Sequence, residues 1–387
     1  MLLDVRKPPK YLNVAVSLSQ ELAQSAVKHD ATDGISEYEI ERLRESGLLP
    51  LVVPKEYGGA GATWIDALKI VYELSKADGS IGQLYGNHLN LTVLSHISGT
   101  PEQKEKYYRY TAQNHGLWAN AIDTWDTRLR IIPEGNSFRL NGVKRFDSIV
   151  AAADVRVFSA WQEGVQEPFF CIIPKDRPGV ISNGDNIGQE RTDSGSFIFD
   201  NVLMEKDEIL EPPNPPDSAF ATFMGIIAQF TKTYVALGIG QGALEAIQEY
   251  RETISQPKLT SAVDSVAQDP YTLGDYGDLW IELKTAIKLA DGVAELVQVA
   301  WEKELRLTHE ERGDVVNAVF SAEVFATRVG LMIANRMFEL MGNTTATNSR
   351  FDRYLQNLRT FGGVSMPWQG APQTWTLTNF PRQQAPC

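Results

Sequence analysis

The stretch VVPKEYGGAGATWIDALKIVYELSKADGSIG, Val52 to Gly82, carries three local signals in sequence. Its glycine-rich loop, Pro54 to Ala62, follows no strand pattern and is not followed by a lysine–serine pair, so it lacks the features of a nucleotide-phosphate loop. Thr63 and Asp66 have the spacing of a capping box, which predicts that a helix starts at Trp64. "DGS" then breaks that helix and can cap a second one. In the second, Ile81, Leu84, Tyr85 and His88 recur at the spacing of a buried helical face. His88 is therefore either a satisfied core histidine or a group aimed at a reaction.

Around this stretch, Glu37 to Ser46 reads as an amphipathic helix ended by Gly47, and Thr100, Pro101 and Gln103 predict another helix start. From Gly116 the period changes. "GLWANAI", "SFRLNGVKRFDSIV", "DVRVFSAW", "PFFCIIP" and "SFIFDNVLM" are short, rich in β-branched and aromatic residues, and bounded by turn residues. After the proline-rich "EPPNPPDS" the helical period returns over Ala219–Arg251, Leu273–Glu304, Glu310–Leu340 and Phe351–Thr360. The expected organisation is a helical domain over 1–115, a β-domain over 116–210 and a helical bundle with a tail over 211–387.

The 387 residues are enough to bury a large core. No uninterrupted apolar run has the length of a membrane span, and the N-terminus lacks a signal-peptide pattern. Two cysteines, Cys171 and Cys387, do not make a disulfide framework and fit a reducing cytoplasm. A net charge of -13 disfavours nucleic acid and anionic membrane as partners. The five histidines show no metal-ligand spacing, so no metal site is expected.

The order of five segments resembles the acyl-CoA dehydrogenase superfamily: the opening stretch, "GTPEQKEKYY", "NGVKRF", "FDNVLMEKDEIL" and "ALGIGQGALEAIQEY". The resemblance implies an α+β, mainly α fold with an N-terminal helical domain, a middle β-barrel domain and a C-terminal four-helix bundle, assembled as a homotetramer. A dehydrogenase of this kind needs a carboxylate to remove the α-proton. No acid occurs in "AFATFMGIIAQFTKTYVALGIG" or from Arg353 to the C-terminus. Loss of a general base costs about 10²–10⁴ in rate, which weighs against that activity.

"RESGLLPLVVPKEYGG", "ADGSIGQLYGNHLNL", "AQN", "RTDSGS", "DPYTLGDYG" and "FDRYLQNLRT" are more closely similar to the flavin-dependent monooxygenases of the dibenzothiophene monooxygenase type. That resemblance implies a two-component enzyme. An NAD(P)H-dependent flavin reductase would supply reduced FMN, FAD being the other possible flavin, and O2 would oxygenate a small apolar aromatic or heteroatom-containing molecule. It implies His88 facing the flavin as a hydrogen-bond donor to its peroxide. Trp118, Asn120 and Asp123 of "LWANAID" would lie along the ring, with Phe146 covering it and Ser148 at its N5 side. Asn120 would then be catalytic together with His88 and Ser148. Backbone bonding by Asn120, and simple strand alternation at Phe146 and Ser148, explain the same residues without a flavin.

Gln256 stands where the family carries a phosphate-binding arginine, with Lys258 nearby. Gly342, Asn343, Thr344 and Arg350 match a loop that reaches the cofactor tail from a neighbouring subunit. No histidine follows His309, and Asn186 stands where a pocket tryptophan is expected, so the substrate pocket differs from the family's. Two competing readings are an FAD-dependent acyl-CoA dehydrogenase with a relocated base and a non-catalytic binding protein on the same fold.

Overall fold

The computed structural model describes residues 10–29, 35–146, 150, 152–165, 167–184, 195–211, 215, 217–253, 270–341 and 349–364. Six helices come first: α1 (Lys10–His29), α2 (Glu37–Glu45), α3 (Trp64–Ala77), α4 (Gly79–Thr92), the short α5 (Leu94–Ile97) and α6 (Pro101–Asn114). Their starts follow local side-chain chemistry. Ser36 with Glu39 and Thr100 with Gln103 form full capping boxes. Thr63 forms half of one: its hydroxyl accepts from the Asp66 N–H, and the Asp66 carboxylate takes the hydroxyl proton, not a backbone N–H. Gly47 then takes the left-handed conformation (φ 69°) that ends α2.

Seven strands follow: β1 (Trp118–Ala121), β2 (Arg130–Glu134), β3 (Ser137–Phe146), β4 (Val155–Ala160), β5 (Phe169–Pro174), β6 (Val180–Gly184) and β7 (Gly195–Met204). They form two sheets, ordered β1-β4-β5 and β2-β3-β7-β6. Among the described residues, an isolated bridge between Arg130 and Trp161 links them. Ala119, Ala121, Phe158 and Ile173 from one sheet meet Leu140, Phe197, Phe199 and Val202 from the other in a shared core. β2 and β6 went unpredicted. Both are edge strands whose proline- or glycine-containing sequences carry little period-2 signal.

Four long helices close the chain: α7 (Phe223–Thr253), α8 (Pro270–Lys303), α9 (His309–Met341) and α10 (Ser349–Val364). α9 is long and apolar enough to cross a bilayer by composition, but Val315, Val319, Ala326, Ile333 and Met337 bury one side of it in the bundle. The helices that precede and follow the β-strands in the chain share one apolar core. Leu18, Trp64, Leu74 and Tyr85 belong to the same cluster as Leu237, Leu283, Ile333 and Leu358. This places α4 between the bundle and β1.

Candidate active site

α4 is the centre of the site. Asp78 caps it by accepting from the Ser80 N–H at 2.7 Å, and the helix is buried along its length except at Gln83 and Asn87. Gln83, Asn87 and Asn90 recur at i, i+4 and i+7 and so occupy one face. The Gln83 and Asn90 side-chain oxygens and the Ser80 hydroxyl are buried with no hydrogen-bond partner among the described residues. α4 lies close against α7 because Gly86 has no side chain. A Cβ there would sit 2.1 Å from Thr231 Cγ2.

His88 is fully buried and ties α4 to two neighbours. Its Nε2 donates to the Leu49 carbonyl at 2.8 Å. Its Nδ1 accepts from the Trp118 N–H at 3.1 Å. These partners assign the neutral Nε2–H tautomer. Burial lowers the pKa to about 4, the Leu49 bond offsetting part of the effect. The role expected of His88, a donor to a flavin peroxide, requires a free ring N–H. Here the ring's one N–H is held by Leu49, and the imidazole instead clamps β1.

β1 is positioned a second time at its start. The Asp154 carboxylate accepts from the Leu117 N–H at 2.8 Å and from Arg44 Nη2 at 2.8 Å. Of the four residues in β1 only Asn120 is incompletely buried. Its Oδ1 accepts from the Ile122 N–H at 3.2 Å, the backbone bond expected of a strand-end asparagine, which leaves its amide N–H groups as donors. The Trp118 side chain turns into the core, with Nε1 donating to Thr111 Oγ1 at 2.8 Å and its ring edge-on to Tyr107. The Asp123 carboxylate caps its own turn by accepting from the Trp125 and Asp126 N–H groups.

Phe146 ends β3, with only its backbone path described, and Arg350 lies in the first turn of α10 on the same terms. Ser148, Gln256, Lys258, Gly342, Asn343 and Thr344 lie outside the described residues. The structure thus brings together His88, Trp118, Asn120 and Asp123, of which Asn120 retains both access and free donors.

Lys144 was missed by sequence reasoning. Its side chain is buried, and Nζ donates to the Asp123 carbonyl and, at 3.0 Å, to the Asp126 carbonyl. Ser159 also donates to the Asp123 carbonyl, at 2.9 Å. The turn after β1 is therefore held from two strands. A lysine two residues before Phe146, on the same face of one strand, was the available signal. His88 and His96 do not share a helix. His96 belongs to α5 and bonds Tyr108 and Glu304. Among the described residues no group of His, Cys, Asp or Glu could hold a metal ion. The buried Cys171 thiol, pushed up to about 12 by burial, is not a nucleophile at neutral pH.

Residues 13–115 match the family model for the acyl-CoA dehydrogenase N-terminal domain. The chain is 37% identical over 361 residues to the probable FMNH2-dependent monooxygenase SfnC of Pseudomonas putida, covering 92% of this chain and 91% of that protein. It is 38% identical over 366 residues to a dibenzothiophene monooxygenase of Rhodococcus erythropolis, covering 90% and 88%. Among solved structures, methanesulfinate monooxygenase MsuC from Pseudomonas fluorescens superposes with a TM-score of 0.86 at 36% identity, covering 90% of this chain and 91% of that one. The complex of TdsC from Paenibacillus sp. A11-2 with FMN and indole gives 0.87 at 31% identity, covering 92% and 94%. The fold is that of an acyl-CoA dehydrogenase-like flavoenzyme. Within that class, the chain belongs to the flavin-dependent monooxygenases that include the dibenzothiophene monooxygenases.

Proposed function

We propose that this protein takes reduced FMN from a separate NAD(P)H-dependent reductase and, with O2, oxygenates a small heteroatom-bearing organic molecule, sulfur being the favoured atom. The observation that carries this reading is the half-buried Asn120 on a strand pinned to α4, next to a helix whose polar face keeps unpartnered buried oxygens. Such atoms suit a polar ring system laid between β1 and α4, because buried polar groups without partners are costly. Reduced FMN, when bound, supplies the electrons that let O2 give one oxygen atom to the substrate.

The chain's own residues bind and orient. Asn120 offers amide donors at the ring edge. His88, neutral and doubly bonded, keeps β1 in register with α4. Lys144 and Ser159 fix the Asp123 turn. Phe146 and Ser148 continue the ring contact. Gln256 and Lys258 take the phosphate end, with Gly342, Asn343, Thr344 and Arg350 approaching from a second subunit of a homotetramer. The exposed Ile281, Leu289, Leu296 and Val299 form one stripe on α8, an apolar face that such an assembly would cover. The composition suits the cytoplasm, where reductase and nicotinamide are found, and domain limits near 115 and 210 match the changes of period.

FMN reduced anaerobically is mixed with the protein, and O2 and dibenzothiophene or thioanisole are then added. Binding of the flavin and an oxygenated sulfur product are expected. Absence of both would overturn this reading in favour of the non-catalytic binding protein, and bleaching of bound FAD by an acyl-CoA without added reductant would replace it with the dehydrogenase one.

A further inference from the structure

A small cavity lies in the bundle, between the first turns of α7 and α9. Its volume is about 100 Å³, and Gly225, Ile226, Gln229, Arg312, Val316 and Phe320 line it together with Thr222 and Val319. Most of this wall is apolar, yet a guanidinium stands in it. Arg312 Nε donates to Thr222 Oγ1 at 2.6 Å. Its two Nη groups make no hydrogen bond and no ion pair among the described residues.

Two acids share the first turn of α9, and neither serves Arg312. Glu311 bonds Lys303 and the Thr308 N–H, and Glu310 is exposed. Burial lowers the pKa of Arg312, with no carboxylate acting in the other direction. On the facing helix, Gln229 Oε1 is buried and also lacks a partner. Amide oxygen and nitrogen are interchangeable by a flip, so Gln229 can present N–H donors to the same cavity. A planar, permanently charged fork with its outer donors open, beside an amide and against an apolar wall, matches a small anion with two coplanar oxygens and a short apolar tail.

We propose that this cavity is a binding site for a small organic oxyanion, a carboxylate or sulfonate of about one to three carbons, held by Arg312 and Gln229 between α7 and α9. Nothing in this inference depends on the flavin, and none of the residues lining this cavity belongs to α4 or β1. The cavity holds a molecule of acetate or methanesulfonate size, and its apolar lining favours these over phosphate or chloride.

The test is calorimetric titration of the full-length protein with sodium methanesulfonate and sodium acetate, against sodium chloride at equal ionic strength. Saturable binding of either organic anion, absent with chloride, is expected. Arg312→Met should weaken it at least tenfold, and Arg312→Lys should weaken it less, since the charge stays while the fork is lost. If Arg312→Met does not fold, Gly225→Leu provides the second arm. Gly225 lines the cavity and a Cβ there meets nothing within 4 Å, so a leucine has room to extend over the space the anion would take. It should abolish binding and leave FMN affinity unchanged. Equal heats with chloride, or wild-type affinity in either Arg312→Met or Gly225→Leu, would overturn the proposal.

Discussion

Replacing His88 with leucine is expected to destabilise the fold by about 2–5 kcal/mol at pH 7.5. The substitution leaves the Leu49 carbonyl and the Trp118 N–H buried without partners, each costing about 1–3 kcal/mol. The same substitution should flatten the acid limb of the stability profile. The folded pKa is about 4, while the unfolded chain titrates near 6.5. Between these values the unfolded state binds a proton that the folded state refuses, so wild-type stability falls as pH drops from about 6.5 towards 4. From pH 7.5 to 5 the His88 share is about 2 kcal/mol at 1.36 kcal/mol per pH unit. His96, also lowered to about 4, adds a loss in the same window. Carboxylates such as Glu21 and Asp126, both held near 2 mainly by arginine partners, act lower down. Urea unfolding at the two pH values measures both effects. An unchanged midpoint at pH 7.5, or an unchanged difference between the two pH values, would remove His88 from the clamp.

The second large effect is expected at Gly86. Gly86→Ala places a methyl 2.1 Å from Thr231 Cγ2, and overpacking of this kind costs about 1–3 kcal/mol. Thr231 has little freedom to yield, since its hydroxyl bonds the Ile227 carbonyl at 2.9 Å and a β-branched side chain in a helix has few rotamers. Thr231→Ala removes the clashing Cγ2, and Thr231 Cβ lies 3.6 Å from the place the new methyl would take, an ordinary contact. The double variant should therefore recover most of the loss, giving a strongly non-additive cycle. Because α4 also carries the polar face of the site, Gly86→Ala should weaken FMN binding as well, and Thr231→Ala should restore it. Additive losses in the cycle would show that the α4–α7 contact is not set by this pair.

Much of the fold was legible in the chain. Caps at Thr63 and Thr100, the switch of period near Gly116 and the return of helix after the proline-rich segment act over a few residues, and the structure has each of them. What stayed hidden depends on distant partners. β2 and β6 take their form from the strands beside them, not from their own alternation. At the candidate site, burial was legible and bonding was not. Periodicity placed His88 on a buried face, but only the fold shows that Leu49, 39 residues earlier, and Trp118, 30 residues later, occupy both ring nitrogens. The bonding of Lys144 and Asp154 was hidden for the same reason: the Asp123 and Asp126 carbonyls, the Leu117 N–H and Arg44 are all distant in sequence, and most of them are backbone groups.

The pairing of β1 with β4 is parallel, Trp118 opposite Val155 through Ala121 opposite Phe158. A parallel pair cannot close through a hairpin, and here the intervening chain includes β2 and β3. The loop-closure entropy of that whole excursion must be met before the first β1–β4 hydrogen bond forms. The hairpins β2–β3 and β4–β5 can form locally and early, whereas the pairing of β1 with β4 is a late event in refolding. Amide protection at Asn120 should accordingly lag behind that at Leu140 and Ile172, so the protein acquires its architecture before it acquires its binding surface.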